Sequence, residues 1–353
     1  MRIALVGDGD SPHLLKWARA LGAAPDVDLW VASSRGFLPG FDGVVAPARR
    51  LALGGRPGHG GGNVAALRTL PRLSAWLRQV DADWLNPHYL TSHGTLVWLA
   101  RRLGGLRGRI VGSAWGSDIL VTPERSALYR ALTRRVLRAC ALCTSDSRHM
   151  SERMRGLGAR EVMTFPFGLD ALPAAPPAKS PWLFYANRGL EPLYRPERVL
   201  DFFATVAAVR PDARLVVAND GALRGALEAR ARALGIGDAV TFTGRLDADA
   251  QARWYGQAQW YLSLPESDSV SVSVLEAMAH GAIPLLSDLP ANRELVRDGD
   301  NGLIVTPATP PHALAALAAQ APRIGAANRE WVARHALFGP SVAALLERLR
   351  QPA

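Results

Sequence analysis

Ordinary domains hold about 100–200 residues, so the 353 residues of this chain predict two domains. An apolar content of 48% supplies side chains for two hydrophobic cores and excludes a chain that is disordered overall. No uninterrupted apolar run approaches the length needed to cross a bilayer, which argues against a membrane-spanning helix.

The net charge of +10 is carried entirely by the first half of the chain. Residues 1–170 hold 23 Lys and Arg against 13 Asp and Glu, whereas residues 171–353 hold 18 of each. Most of the excess is arginine, concentrated in 101–109 and 128–139. One-sided basicity points to an anionic partner such as a phospholipid surface, a lipid-linked phosphate or a nucleic acid. The alternative is that these arginines only solvate helix faces.

Strand-like and helix-like segments alternate through the first half. The N-terminal segment 2–8 is a short apolar run without a small-residue cleavage site, which predicts a buried strand rather than a signal peptide. An amphipathic helix follows over 13–23. Further strands are predicted at 28–33, 83–88, 109–116, 141–147 and 161–168, with helices between them. This alternation predicts a parallel, doubly wound α/β sheet.

A proline-rich stretch without periodicity, 169–181, predicts an interdomain linker. A second alternation follows it and includes helices over 196–209 and 223–235. Its strands are predicted at 181–189, 213–220, 239–244, 259–265, 282–288 and 301–307.

The domains are therefore expected at 1–170 and 171–337, with a C-terminal helix (338–353) packed back on the first domain. Two such domains facing each other leave a cleft between the carboxyl ends of their sheets, where ligands bind in this architecture.

The stretch SDSVSVSVLEAMAHG, residues 267–281, is the most informative segment of the chain. Serine and valine alternate over 269–274, which favours an extended backbone. Good helix formers follow, with Gly281 placed as the C-terminal stop. Ser273 and Glu276 have the spacing of a capping box. The pattern predicts a serine-rich loop at a helix N-terminus, a place that holds phosphate well. The alternative is that Glu276 only caps its own helix.

Two patterns resemble metal or redox motifs but favour structural roles. Cys140 and Cys143 are the only cysteines, and no second pair completes a zinc site, so we expect two structural thiols and a reducing, cytoplasmic compartment. Three Asp-x-Asp patterns, at 8–10, 81–83 and 247–249, lie where a turn or helix start is expected. We therefore expect no metal and no cofactor.

A glycine-rich loop at 54–62 precedes a helical stretch in the first half. That stretch, 64–80, carries leucine, tryptophan and arginine side by side, as helices at membrane surfaces do. A helix that packs on the core is the alternative. Peripheral contact with the inner face of a membrane through the basic first domain is thus one expectation.

Residues 267–305 resemble the donor-binding segment of the retaining GT-B glycosyltransferases, the large family-4 group. Four weaker matches agree with it in order and spacing, at 7–21, 115–120, 165–170 and 186–203. The resemblance thus covers nearly the whole chain. It implies a GT-B fold, in which two Rossmann-like domains face each other and the second binds a nucleotide-sugar.

The resemblance implies roles for residues of the 267–305 segment. Glu276 matches the acidic residue that binds the ribose hydroxyls. Asp268, eight positions earlier, matches the residue that contacts the transferred sugar, although the family more often has glutamate there, and aspartate is one methylene shorter. Ser271, Val272 and Ser273 match the loop whose amides meet the diphosphate.

Further donor contacts follow from the same resemblance. Arg188 matches the arginine that faces the diphosphate. The family lysine about six residues later is replaced by Tyr194, so Arg195 is proposed as the substitute cation. The remaining implied donor residues are Gly244, Arg245 and Leu246 of the base pocket, and Gly9 near the N-terminus.

The first domain departs from the family pattern. Many relatives have a histidine where this chain has Ala114 and Trp115. His88, at the end of a predicted strand, is the replacement we predict to face the cleft, and a hydrogen-bonded core histidine is the alternative. Asp118 is expected either to orient acceptor or sugar hydroxyls or to cap the helix that follows.

The resemblance implies a retaining glycosyltransferase that needs no metal. UDP is the commonest donor nucleotide of such relatives, and an anionic or lipid-linked acceptor, as in polysaccharide, lipopolysaccharide or glycolipid assembly, fits the basic half. A non-catalytic nucleotide-sugar-binding homologue and a nucleotide-sugar epimerase stay open. A nicotinamide dehydrogenase is disfavoured because GDGDSPH lacks the third glycine of G-x-G-x-x-G. Nucleic-acid binding would explain the charge but none of the motifs.

Overall fold

The computed structural model of the chain describes residues 1–55, 64–175 and 177–351. It divides into two compact units. The first runs from Met1 to Phe165 and includes the C-terminal segment from Phe338, and the second is Pro166–Leu337. Most of the predicted glycine-rich loop, from residue 56 onward, lies outside the described residues.

The first unit is built on a parallel sheet of seven strands in the order β3-β2-β1-β4-β5-β6-β7. Residues 3–6 of the first strand are at most 1% exposed, because helices cover both faces of a doubly wound sheet. The short edge strand β3 was not predicted, since three residues carry too little pattern. The strands are β1 Arg2–Gly7, β2 Asp28–Ser33, β3 Arg50–Ala52, β4 Trp84–Pro87, β5 Arg109–Ser113, β6 Leu142–Ser145 and β7 Val162–Thr164.

Helices connect the strands of this unit. Residues 64–80, predicted as one helix, begin as a 3₁₀ turn and become α-helical only from Leu70. Leu73, Leu77 and Val80 of that helix are buried, which supports the core-packing alternative. The α-helices are α1 Pro12–Gly22, α2 Leu70–Val80, α3 Thr95–Gly104, α4 Ser117–Leu120, α5 Thr122–Arg125, α6 Ala127–Ala139 and α7 Arg148–Gly156.

The second unit repeats this plan with six parallel strands in the order β10-β9-β8-β11-β12-β13. The strands are β8 Ser180–Ala186, β9 Arg214–Ala218, β10 Val240–Gly244, β11 Ala258–Ser263, β12 Ile283–Ser287 and β13 Leu303–Val305. The helices are α8 Pro196–Val209, α9 Arg224–Ala233, α10 Ala248–Gln257, α11 Val272–Ala279, α12 Pro290–Leu295, α13 Ala313–Ala319 and α14 Ala321–His335. The predicted fold class, two Rossmann-like domains with parallel sheets, is confirmed. Among the described helices, none is both long and apolar enough to cross a membrane.

A final helix, α15 (Phe338–Arg350), belongs to the first unit. Its first residue packs edge-on against Trp17 of α1, with ring centroids 5.1 Å apart. Near its end, Arg348 makes a two-point ion pair with Glu161, with both N–O distances 2.7 Å. Both ends of α15 are thus fixed to the unit that contains the N-terminus.

The proline-rich stretch after Phe165 is held by one arginine of the second unit. Arg329 of α14 donates to the backbone carbonyls of Pro173 (2.5 Å) and Ala174 (3.4 Å). The same guanidinium donates to the carbonyl of Ala279, at the end of α11, over 2.6 Å. The stretch is therefore tied to the second unit's helices by charge-assisted hydrogen bonds.

The structure corrects the prediction for the Ser-Val run. Val272–Ala279 is helical and Ser271 is its N-cap, so the predicted extended run over 269–274 ends three residues early. Ser273 is the second helical residue and Glu276 the fifth, so the two do not form a capping box. Gly281 does end the helix, with a φ of 76° and its N–H bonded to the Met278 carbonyl at 2.9 Å.

Both cysteines are free and buried. Cys140 follows α6 and donates its thiol hydrogen to the Val136 carbonyl at 3.3 Å, and Cys143 lies in β6. Their mutual hydrogen bond, with burial, raises the pKa of the Cys143 thiol well above its usual range. A protonated, inaccessible thiol fits the predicted structural role.

Candidate functional site

The candidate site lies at the carboxyl ends of two adjacent strands of the second unit. β8 ends at Ala186 and is followed by Asn187 and Arg188, and β11 leads through Asp268 into α11. Because β8 and β11 pair in parallel, their ends meet at one edge of the sheet. Residues 80 or more positions apart in sequence are thereby brought into contact.

Arg188 is the centre of this group. Its Nη2 donates to Asp268 Oδ2 over 2.7 Å, and its Nη1 contacts the hydroxyls of Ser271 and Ser273, the latter at 3.3 Å. The ring of Tyr194 covers the guanidinium at 4.4 Å. The Arg188 guanidinium thus contacts three residues that were predicted from the resemblance, Asp268, Ser271 and Ser273.

The N-terminus of α11 is left without a side-chain cap. Ser271 occupies the N-cap position, where serine ordinarily accepts from the helix amides, but its hydroxyl contacts Arg188 instead. The amides of Val272 and Ser273 have no acceptor within the described chain. Free amides beside a guanidinium form a site for an anion.

Burial and charge act in opposite directions on the ion pair. Burial raises the pKa of Asp268 above its usual value, although Arg188 and the Ser269 amide favour the ionised form. Burial works against the charge of Arg188, but Asp268 and neighbouring tyrosines outweigh it, so the pKa of Arg188 rises. Arg188 therefore stays positively charged. Each side chain favours the ionised form of the other.

A chain of hydrogen bonds connects Arg188 to Glu276 at the far end of the site. Ser273 Oγ lies 2.8 Å from the hydroxyl of Tyr261, which donates to Asn187 Oδ1 at 2.7 Å. Asn187 Nδ2 donates to the Tyr255 hydroxyl at 2.7 Å, and that hydroxyl donates to Glu276 Oε2 at 2.9 Å. Every member fixes the orientation of the next.

Asn187, Tyr255 and Tyr261 were not predicted from the sequence. The position of Asn187, directly after a strand and before Arg188, was the one available signal. Burial raises the pKa values of Tyr261 and Tyr255 above the usual range of a tyrosine. Both hydroxyls therefore remain protonated and able to donate.

The segment predicted to line the base pocket joins the same edge of the sheet. The Gly244 carbonyl accepts from the Asn219 amide at 2.7 Å, and φ of Gly244 is 73°, a left-handed value that favours glycine. Gln251 bonds both to the carbonyl of Leu246 and to Asn187 Nδ2. Arg245 is exposed.

Arg195 is not grouped with Arg188 in the structure. Its Nε lies 3.1 Å from Glu197 Oε1 and 3.5 Å from Glu266 Oε2. Two carboxylates compensate its charge, whereas Arg188 has one. The substitution of Arg195 for the family lysine stays a prediction.

His88, which was predicted to face the cleft, is buried among residues of the first unit and is 1% exposed. Its Nδ1 accepts from the indole N–H of Trp115 at 3.1 Å, and Nε2 lies 3.3 Å from Asn86 Oδ1. Burial lowers the pKa of His88 to about 3. Both nitrogens of a neutral ring are occupied, as in the predicted alternative of a hydrogen-bonded core histidine.

Asp118 also has internal partners. It is 1% exposed, and its carboxylate accepts from the amides of Leu90 (2.7 Å) and Trp115 (2.9 Å). Burial raises its pKa, and these amides favour the ionised form. The carboxylate joins the residue before Gly116 to Leu90 and does not cap α4, whose N-cap is Gly116.

Gly9 lies in a crowded loop after β1. Its amide donates to Ser33 Oγ at 2.8 Å, and a side chain there would meet the Gly36 carbonyl at 2.5 Å. The preceding Asp8 is buried, with Ser34, His93 and Arg35 around it. Burial opposes its charge, but these partners lower the pKa of Asp8 to about 2.

The Asp-x-Asp pairs at 81–83 and 247–249 lie at element ends, as predicted. Asp81 closes α2 with a left-handed φ of 44°, and Asp247 caps α10 by accepting from the Ala250 amide at 2.7 Å. Within the described residues, no group of three or more His, Cys, Asp or Glu side chains could hold a metal ion.

Comparison with known families assigns both halves. The model for glycosyl transferases group 1 matches residues 173–332, and the model for glycosyl transferase 4-like matches residues 2–147. The two matches together cover most of the chain, and each lies within one of the two units of the fold. The group 1 match includes Arg188, Asp268 and Glu276.

Two curated proteins are similar in sequence. One is an alpha-monoglucosyldiacylglycerol synthase of Streptococcus pneumoniae, 31% identical over 102 residues, which are 29% of this chain and 23% of that protein. The other is a phosphatidyl-myo-inositol mannosyltransferase of Mycobacterium leprae, 25% identical over 69% of this chain and 66% of its own. The chain thus matches less than two thirds of either relative's length.

A solved structure shares the whole fold. The Anabaena protein HepE, crystallised with UDP and glucose, superposes with a TM-score of 0.77 and covers 99% of both chains. At 15% identity this likeness shows the fold alone.

Proposed function

Because the chain belongs to the group 1 and 4-like GT-B glycosyltransferases, we propose that it transfers a sugar from a nucleotide-sugar to an acceptor with retention of anomeric configuration. The observation that carries the proposal is the N-terminus of α11, where the cap serine contacts Arg188 and leaves helix amides for an anion. A diphosphate fits this site because it can accept from the amides and face the guanidinium together.

The other residues of the edge then take the rest of the donor. Glu276, oriented by Tyr255, accepts from the ribose hydroxyls. Asp268, oriented by Arg188 and by its own neighbour's amide, contacts the transferred sugar. Gly244, Arg245 and Leu246 line the base.

The chemistry follows from where charge develops. As the glycosidic bond breaks, negative charge grows on the diphosphate, and Arg188 and the α11 amides stabilise it. The sugar passes through an oxocarbenium-like state. The acceptor hydroxyl attacks from the face that the diphosphate leaves, and a departing phosphate oxygen takes its proton. No side-chain nucleophile is required.

The proposal also specifies the nucleotide of the donor and the chemical class of the acceptor. UDP is supported by the HepE structure, which holds UDP. A lipid-linked acceptor is supported by the names of the two curated relatives, both of which describe lipids. The ten excess positive charges of residues 1–170 suit an anionic acceptor or the surface that carries it. Peripheral membrane contact through that unit belongs to the same proposal.

Nucleotide binding is the first test, by thermal shift with UDP, GDP and ADP. A ligand at 100 times its Kd stabilises the protein by about 2.7 kcal/mol. We expect UDP to stabilise the wild type and a Glu347→Ala control, whose exposed glutamate is on α15, but to have a much smaller effect on Glu276→Ala. If no nucleotide stabilises the wild type, the non-catalytic alternative replaces the proposal.

Retention has a separate test. The product made from an α-linked UDP-sugar is examined by NMR, where the coupling constant of the anomeric proton reports its configuration. An α-linked product supports retention. A β-linked product would show inversion and overturn that part of the proposal while leaving donor binding intact.

A further inference from the structure

A second charged site lies in the first unit, where three strands begin. A cavity of about 650 Å³ is found at the amino ends of β5, β6 and β7. Ile110 and residues 139–141 form part of its wall. The charged residues that line it are Arg101, Arg109, Arg138, Arg160, Arg348 and Glu161. Five positive charges and one negative charge therefore surround one space.

Most of this positive charge has no carboxylate partner. Glu161 pairs with Arg348 through two hydrogen bonds of 2.7 Å. Nowhere in the described ranges does a carboxylate lie within ion-pair distance of the other four arginines. Four uncompensated cations around one cavity repel one another, and an anion between them would relieve that repulsion.

Uncharged neighbours hold several of these arginines in position. Arg101 Nε donates to the Gly108 carbonyl at 2.9 Å, and the Arg109 guanidinium lies 4.4 Å above the ring of Trp84. Arg138 crosses Gly158, where an added Cβ would come within 3.0 Å of its Nε. These contacts position Arg101, Arg109 and Arg138 without pairing their charges with a carboxylate.

The cavity is separate from the candidate donor site. It belongs to the other unit and lies at the amino ends of its strands, whereas the sites of this fold class use the carboxyl ends. The segments 101–109 and 128–139, whose arginines the donor site does not use, contribute to it. It is therefore a separate candidate site.

We propose that this cavity binds a phosphate group. Arginines suit phosphate because the guanidinium presents several donors in a plane and stays charged at every relevant pH. The volume admits a phosphorylated small molecule or the headgroup of an anionic lipid. The proposal does not depend on the sugar-transfer function, since it uses none of the donor-site residues.

The test compares two double variants of equal charge. Arg138→Gln/Arg160→Gln removes two cavity arginines. Arg134→Gln/Arg135→Gln removes two arginines that do not line the cavity, on α6, the helix that also carries Arg138; all four arginines are exposed. Binding of pyrophosphate is measured by calorimetry in the presence of UDP. Binding to vesicles of phosphatidylcholine with phosphatidic acid is measured by co-sedimentation, with pure phosphatidylcholine as reference.

We expect the cavity variant to bind about tenfold or more weakly in at least one assay, while the control binds like the wild type. Loss of pyrophosphate binding identifies a soluble phosphate ligand, and loss confined to vesicles identifies a lipid headgroup. Equal weakening in both variants would show diffuse charge attraction and overturn the proposal, as would no binding by the wild type. UDP stabilisation, measured on the same proteins, reports the donor site independently.

Discussion

Arg188 and Asp268 lie 80 positions apart in sequence and 2.7 Å apart in space. Each side chain is about one fifth exposed, and each is the other's ion-pair partner within the structure's described residues. The carboxylate fixes the guanidinium next to the free amides of α11. An acidic residue expected to contact a sugar therefore also positions the cation that we propose faces the diphosphate.

Arg188→Gln should lower both stability and donor affinity. It leaves a partly buried carboxylate without its cation, and for a pair that is one fifth exposed we expect a loss of about 2 kcal/mol, below the roughly 3–5 kcal/mol of fully buried pairs. The double variant Arg188→Gln/Asp268→Asn should recover most of the stability but not UDP binding. Urea denaturation and thermal shift separate the two effects. A double variant as unstable as the single one would contradict the coupling.

Tyr255→Phe should weaken nucleotide binding without unfolding the protein. The change removes one hydroxyl, which both accepts from Asn187 and donates to Glu276. We expect a loss of about 1–2 kcal/mol in binding, which is roughly five- to thirtyfold in Kd. Calorimetry with UDP measures it. Unchanged affinity would mean that Glu276 does not depend on Tyr255 for its orientation.

Gly281→Ala should destabilise the second unit. Gly281 ends α11 with a φ of 76°, and alanine in that region costs about 1–2 kcal/mol. The matched control is Gly225→Ala in α9, where an added Cβ meets nothing within 4 Å and should stabilise the helix by up to about 1 kcal/mol. Urea midpoints of the two variants should move in opposite directions.

His88 should make the protein less stable in mild acid. Its folded-state pKa is about 3, whereas the ordinary value is about 6.5. Between these values the unfolded chain binds a proton that the folded chain does not. The free energy of unfolding therefore falls as the pH decreases, by about 1.4 kcal/mol per pH unit. His88→Gln, which does not titrate, should show a flatter dependence between pH 6.5 and 5. Equal slopes would refute the assignment.

The sequence predicted most of the strands because parallel sheets bury both faces and their strands appear as apolar runs. β2 and α8 begin and end at the predicted residues. The Ser-Val run was misread because its alternation coincides with a helix start. The alternation does not indicate a strand there, because Ser271 is the N-cap of α11 and Val272 is its first helical residue.

The site was predictable only in part. Arg188, Asp268 and Glu276 were identified from motifs, but the tyrosines between them were not, since their meeting depends on the order of β8 and β11 in the sheet. His88 shows the same limit. Its place at a strand end was predicted, whereas the indole of Trp115, which occupies one of its nitrogens, comes from a loop 27 residues away.

The hydrogen bonds from Arg329 to the carbonyls of Pro173 and Ala174 have a consequence for the construction of chimeras between such proteins. The proline-rich stretch belongs physically to the second unit, and α15 belongs to the first. A chimera that takes its second unit from a relative should therefore be joined before Pro166 and again at Phe338. The imported segment then contains both the proline-rich stretch and the arginine that binds it. A junction within the prolines would separate the arginine from the carbonyls it holds.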